Sequence, residues 1–233
     1  MKVMILAAGR GERMGQLTAH CPKPLLKIDE RPLIEHHIRR LVAAGCQEIV
    51  INLCYLGKQI ETYLGDGKAF GVSIQYSWEE QCLETGGGIQ QALTLLGEEP
   101  FMVLNGDVWT DYPLQKLLSY DLSSNQLAHL ILVDNPTHNT MGDFNVDSAS
   151  SLVTELGPSV SGYTFAGISV LSPKLFAEKQ NGCYPLAPLL RNVMVESKVS
   201  GEHYGGVWVD VGTPERFASL NEGVVTASNE GKY

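Results

Sequence analysis

Four charged residues, widely spaced along the chain, and the glycines around the first of them carry the chemistry of this sequence. Arg13 stands in the run Ala7-Ala8-Gly9-Arg10-Gly11-Glu12-Arg13-Met14-Gly15, directly after the apolar stretch Val3–Leu6. Glycines at 9, 11 and 15 let a backbone take positive φ and approach a ligand, with free N–H groups aimed at an anion. An arginine there grips phosphate oxygens in a fork, and Lys23, after Pro22, adds a compact second positive charge. The ligand implied is a polyphosphate. Two acids complete the set: Asp107 in Asn105-Gly106-Asp107 and Asp210 in Trp208-Val209-Asp210-Val211-Gly212-Thr213. A charged side chain beside or inside an apolar strand is costly unless it is paired or metal-bound. With the loop, the two acids read as a site for Mg²⁺, which prefers carboxylate and phosphate oxygens.

These residues need a scaffold that brings the start, middle and end of the chain to one crevice. Val3–Leu6 predicts a short buried strand. Leu33, Ile34, Ile38, Leu41 and Val42 recur at helical spacing after Pro32, and Gly45 suits the helix end. The residues at 48–53 form a β-branched strand, 56–64 a helix, 72–76 a strand and 88–96 a helix ended by Gly97. Phe101–Leu104 is wholly apolar, as expected of a central strand covered on both faces. Strand alternating with helix predicts a Rossmann-like, doubly wound α/β sheet of mainly parallel strands. Such sheets bind ligands at the carboxyl ends of their strands, where loop 7–15 and Asp107 fall. Beyond a helix near 114–120 and a strand at 128–133, the pattern changes to short pieces at 144–146, 152–156 and 165–171. They read as a β-rich insertion for a second substrate. A helix near 186–195, a strand at 207–211 and a helix at 215–225 return to the core, and 228–233 reads as a frayed tail. No linker or repeat divides the chain. Residues 1–227 are therefore expected to form one domain, with a nucleotide-binding half at 1–111 and a second-substrate half at 112–227.

Composition narrows the partners. The formal net charge is −9, which argues against nucleic-acid binding through a basic face. No apolar run reaches membrane-spanning length, and no signal-peptide pattern opens the chain. The five cysteines, at 21, 46, 54, 82 and 183, include no C-x-x-C pair. They read as inert thiols in a reducing cytoplasm, with neither a disulfide framework nor a zinc site. Two familiar phosphate motifs are excluded. Met14 stands where a dinucleotide fingerprint needs its third glycine, and no G-x-x-x-x-G-K-[ST] run occurs.

Leu6-Ala-Ala-Gly-x-Gly-x-Arg-Met14, followed by Pro22-Lys23-Pro24-Leu25, resembles the signature of the sugar-1-phosphate nucleotidyltransferases. Asp107 in its Gly-Asp pair and Asp210 in its W-x-D-x-G-T run resemble two further motifs of that family. The resemblance implies a GT-A-like fold whose loop wraps a nucleoside triphosphate, with Ala8, Gly9, Gly11, Glu12, Arg13 and Lys23 on the nucleotide. It implies that Asp107 and Asp210 hold Mg²⁺. An oxygen of the sugar phosphate would attack the α-phosphorus in line, and pyrophosphate would leave. Arg13, Lys23 and Asp107 are the expected catalytic residues, and catalysis would consist of positioning and charge neutralisation.

In relatives the stretch matching Glu84-Thr85-Gly86-Gly87-Gly88 lies over the base, which makes Thr85 and Gly86 expected nucleotide contacts. Glu79 stands near where a glutamine often reads uracil or thymine; a carboxylate there suits guanine as well. On the sugar side, Asn105, Gly142, Glu155 and Gly167 (in Thr164-Phe-Ala-Gly167-Ile168) match family elements. The lysine that follows the glutamate in relatives is missing, because Leu156 and Gly157 stand there. Further stretches, such as Leu132-Val-Asp-Asn-Pro136 and Ser200-Gly-Glu-His-Tyr204, narrow the resemblance to one branch of the family. That branch uridylylates N-acetylmuramic acid 1-phosphate from UTP in peptidoglycan recycling. The rival readings are guanylyl transfer to mannose 1-phosphate, thymidylyl transfer to glucose 1-phosphate, and a nucleotide-sensing subunit without turnover. The presence of Arg13, Lys23, Asp107 and Asp210 together favours an enzyme.

Overall fold

A computed structural model describes residues 1–178 and 181–229, the last six of these by backbone alone. Seven strands form its central mixed sheet: β1 (Val3–Leu6), β2 (Glu48–Leu53), β3 (Ser73–Trp78), β4 (Phe101–Asn105), β5 (Ala128–Val133), β6 (Thr164–Leu171) and β7 (Val199–Tyr204). Their order is β7-β5-β6-β4-β1-β2-β3. β6 runs antiparallel to both of its neighbours, and every other pairing in the sheet is parallel. β4, apolar from Phe101 to Leu104, takes the middle position, as its sequence predicts.

Both faces of the sheet are covered. Val3 and Ile5 of β1 belong to one core with Ile34, Ile38 and Leu41 of α1 (Leu33–Ala43) and Ile60 of α2 (Gly57–Leu64). Met4, between them, belongs to the other, with Ile89 and Ala92 of α3 (Glu84–Leu96). Successive side chains of a strand point to opposite faces, so a strand buried on both must be apolar throughout. Leu114 and Leu117 of α4 (Leu114–Leu118) join the first core, and Leu189 and Leu190 of α5 (Ala187–Met194) the second. A third, small core joins Met14, Leu26, Ile28 and Leu33 to Val211 and Leu220, the last on α6 (Pro214–Asn229). It fastens the end of the chain against the glycine loop.

Three sequence expectations change. The residues near 165–171 are not part of an insertion. They lie in β6, which fills the sheet between β4 and β5. Of the expected insertion, the hairpin Phe144–Val146 with Val153–Glu155 stands apart from the central sheet. Secondly, the strand that returns to the sheet is β7, whose Ser-Gly-Glu-His sequence carries little apolar signal. Trp208–Asp210 pairs instead with Val108–Thr110 in a ribbon of its own. Thirdly, α3 starts at Glu84, four residues before the predicted start, because its glycines pack rather than break it. Residues 228 and 229 of the expected tail belong to α6, and 230–233 lie outside the described residues. Among the described residues, no helix is long and apolar enough to cross a membrane.

Candidate active site

The loops that leave β1, β3 and β4 at their carboxyl ends surround a cavity of about 510 Å³. Ala8, Gly9, Gly11, Glu12, Arg13, Lys23, Glu79, Thr85, Asn105 and Asp107 all line it. Gly11 has a left-handed φ of 65°, and its carbonyl accepts from Met14 N at 2.8 Å and Thr18 Oγ1 at 2.9 Å. That turn carries Glu12 and Arg13 at the cavity wall. Gly9 differs from the expectation: its φ is not positive, and open space surrounds the position of a Cβ. Its value is clearance rather than backbone freedom.

Lys23 is buried, between Pro22 and Pro24 on a short turn, and its Nζ donates to Asp107 Oδ2 at 2.6 Å. The backbone just before Asp107 is held as well. His37 of α1 is wholly buried, bonds the Gly106 backbone through its ring and leaves Nε2 with no partner. Burial first, and then the neighbouring Arg40, push its imidazole down to about 3, so the ring is neutral.

A buried amide ties the loops together. Asn52, near the end of β2, accepts from Ala7 N at 2.8 Å and donates to Glu79 Oε1 at 2.7 Å. Glu79 Oε2 accepts from Leu83 N at 2.8 Å. The glycine loop, β2 and the approach to α3 thus share one chain of hydrogen bonds. Sequence reasoning missed Asn52. The available signal was a lone amide in Ile49-Val50-Ile51-Asn52-Leu53, where burial demands a partner.

The start of α3 departs from its expected role. The amides of Gly86 and Gly87 both donate to Tyr184 O, at 2.9 and 3.1 Å, and Thr85 Oγ1 accepts from Leu186 N. Gly86 does not line the cavity. These amides hold the 184–186 segment, so they are spent rather than open to an anion. A Cβ on Gly87 would stand 2.0 Å from Gly182 O, which explains the glycines by packing.

The ribbon sets the second aspartate. Asp210 pairs with Val108, and Val211 N donates to Asp107 O at 2.7 Å, so the two acids stand one rung apart. Asp210 Oδ1 takes Arg216 Nη1 at 2.8 Å and lies 3.1 Å from His138 Nε2. Asp210 does not itself line the cavity; its Oδ2 lies on the side of Gly212, which does. Among the described residues, no three of His, Cys, Asp and Glu converge on a metal-sized site.

The sugar-side expectations scatter. Gly167, at φ +71°, sits in an irregularity of β6 and packs on Asn105. Gly167, Gly142 and Glu155 all lie outside the cavity. Gly142 is tucked against Asn135 and Gly162, and Glu155 faces Arg191 Nε of α5 at 3.7 Å. A cation does stand beside Glu155, therefore, although the lysine that follows it in relatives is missing. It comes from a helix far along the chain. His203 and Tyr204 bond Asp134 and Asp111.

The cysteine expectation is corrected too. Cys54 and Cys82 form a disulfide. Leu53 and Trp78 are register partners at the ends of adjacent parallel strands, so the segments that follow them run side by side. A spacing of 28 residues hides that proximity. Cys21, Cys46 and Cys183 are free.

A glycine loop and a lysine–aspartate pair line one crevice at the carboxyl ends of the strands of a doubly wound sheet, and a second acid stands one rung away on the adjoining ribbon. A nucleotidyl transferase family model matches residues 2–226, and the chain belongs to that family. Among its relatives is the N-acetylmuramate alpha-1-phosphate uridylyltransferase of Neisseria meningitidis serogroup B. It is 50% identical over 91% of this chain and 94% of its own length. The Caulobacter vibrioides protein of the same name is 33% identical over 91% and 92%. The fold is also that of a solved UDP-glucose pyrophosphorylase complexed with UDP-glucose, with a TM-score of 0.80, 19% identity, and coverage of 97% of this chain and 98% of that one.

Proposed function

We propose that this enzyme transfers the uridylyl group of UTP to N-acetylmuramic acid 1-phosphate, giving UDP-N-acetylmuramic acid and pyrophosphate. The observation that carries the reading is the 50% identity, over nearly the whole of both chains, to the uridylyltransferase of Neisseria meningitidis. A phosphate oxygen of the acceptor attacks the α-phosphorus, the bond to the β-phosphate oxygen breaks, and pyrophosphate takes the electron pair. Loop 8–13 cradles the triphosphate with backbone amides. Arg13 neutralises the departing β- and γ-phosphates, and Lys23 the α-phosphate or the acceptor's phosphate. Glu79 and Thr85 border the base; Asn105, with Gly167, Gly142 and Glu155 beyond the cavity, serves the sugar.

Asp107 and Asp210 are oxygen donors of the kind Mg²⁺ favours: Asp107 lines the cavity, and Asp210 stands one rung away at its edge, with Oδ2 toward Gly212. Bound there, Mg²⁺ would neutralise charge on the α-phosphate. In the absence of the ion, Lys23 and Arg216 balance the two acids. We place the reaction in the cytoplasm, as a step of cell-wall recycling. The test is a panel of UTP, GTP, dTTP and CTP against several sugar 1-phosphates, read by pyrophosphate release with Mg²⁺ present and chelated. UTP with N-acetylmuramic acid 1-phosphate is expected to win, and chelation to abolish the signal. Preference for another pair would overturn the substrate assignment.

A further inference from the structure

Arg216 and His138 converge on Asp210, and the sequence singles out neither. Arg216 lies in the first turn of α6, and His138 on the segment between β5 and the hairpin, four residues before Gly142. Arg216 Nη1 donates to Asp210 Oδ1 and lies 2.6 Å from His138 Nε2. The three side chains are 20%, 22% and 40% exposed for Arg216, Asp210 and His138. Nη1 is thus occupied. Nε is buried with no partner, and Nη2 packs over Gly212, where a Cβ would stand only 2.2 Å away. Gly212 and Asp107 line the same cavity.

We propose that Arg216 is the cation that binds an anionic oxygen pair of the acceptor, either its phosphate or its carboxylate. This rests on the transferase reading above. Position is the first argument. Asp210 stands one rung from Asp107, and Arg216, which lines a neighbouring cavity with Trp109 and Leu220, reaches the edge of the Asp107 cavity through Nη2 against Gly212. Charge is the second. A sugar phosphate must approach a triphosphate, and their mutual repulsion calls for a cation between them. Of the cations that line the cavity, Lys23 already faces Asp107, and Arg10 and Arg13 stand on the glycine loop assigned to the triphosphate, while Arg191 lies against Glu155 and the Phe144 ring. Donor geometry is the third. A guanidinium offers five N–H donors in a planar fork that matches a phosphate or carboxylate edge. Asp210 balances its charge in the free protein, and His138 limits its swing.

The experiment measures acceptor affinity without turnover. N-acetylmuramic acid 1-phosphate is titrated calorimetrically into enzyme saturated with a UTP analogue whose α–β bridge is a methylene. Arg216→Ala is expected to weaken acceptor binding by roughly tenfold or more, with affinity for the analogue changed less than about twofold. Arg216→Lys keeps a charge but loses the fork, and is expected to fall between. It also serves if the alanine variant folds poorly. A second titration uses N-acetylglucosamine 1-phosphate, which lacks the lactyl carboxylate. An equal fold-loss for both acceptors assigns Arg216 to the phosphate; a loss confined to N-acetylmuramic acid 1-phosphate assigns it to the carboxylate. Unchanged acceptor affinity in both variants overturns the inference. If the wild-type enzyme transfers to no sugar 1-phosphate, it is the transferase reading that fails.

Discussion

Lys23 Nζ lies 2.6 Å from Asp107 Oδ2, although 84 residues separate them in the chain. The lysine side chain is 9% exposed and the aspartate 37%, so the pair sits where the protein meets the cavity. Neither residue can be changed without stranding the other's charge. Asp107→Asn is expected to lower turnover on the order of 10²–10³-fold, the usual loss on removing one electrostatic contributor to catalysis. Stability should fall by about 1–3 kcal/mol, between the worth of an exposed pair and that of a buried one. Pyrophosphate release and a denaturant melt measure the two. Near-normal turnover would remove Asp107 from the metal assignment.

Glu79→Gln probes the link between the loops. Both carboxylate oxygens accept, from Asn52 Nδ2 and from Leu83 N. A glutamine must present its NH₂ to one of these donors. Asn52 cannot flip to help, because its Oδ1 already accepts from Ala7 N. One buried donor goes unpaired, at a cost of about 1–3 kcal/mol. The expected outcome is a lower denaturation midpoint and a raised KM for UTP, with the KM for the acceptor little changed. Unaltered stability would contradict the geometry.

Acid should destabilise the fold before carboxylates protonate. Burial pushes the His129 imidazole down to about 4 and that of His37 to about 3, against an ordinary 6.5. The unfolded chain therefore takes up protons first as the pH falls. Stability from these groups is complete above pH 6.5 and lost below it, at about 1.4 kcal/mol per pH unit for each. By pH 5 the loss amounts to about 2 kcal/mol per histidine. Urea melts at pH 7 and pH 5 would show it. His129→Gln should remove about half of the difference.

Reduction offers a fourth measurement. The Cys54–Cys82 bond closes a loop of 28 residues, and chain entropy assigns such a crosslink roughly 3–4 kcal/mol. Dithiothreitol should lower the melting temperature of the purified enzyme to that of Cys54→Ser/Cys82→Ser. In a reducing cytoplasm the bond opens to two thiols, so both forms should stay folded and active. Identical melting with and without reductant would argue against the bond.

Much of this molecule can be read before it is folded. A strand buried on both faces has no room for polar side chains, so Phe101–Leu104 announces the middle of the sheet. Loop 7–15 and Asp107 follow such strands, and strand ends are where ligands of these sheets lie. That is local information, carried by periodicity and by glycine spacing. Long-range pairing is not local. The strand at 199–204 hides in a polar run because it lies at the sheet edge, and 164–171 reads as part of an insertion because its partners lie at least 31 and 64 residues earlier in the chain. Asn52 reaching Glu79, Arg191 reaching Glu155, Arg216 and His138 meeting at Asp210, and Cys54 beside Cys82 all join segments that only chain topology brings together. Residue type and spacing state which chemistry is available; which groups share a hydrogen bond depends on where distant strands end.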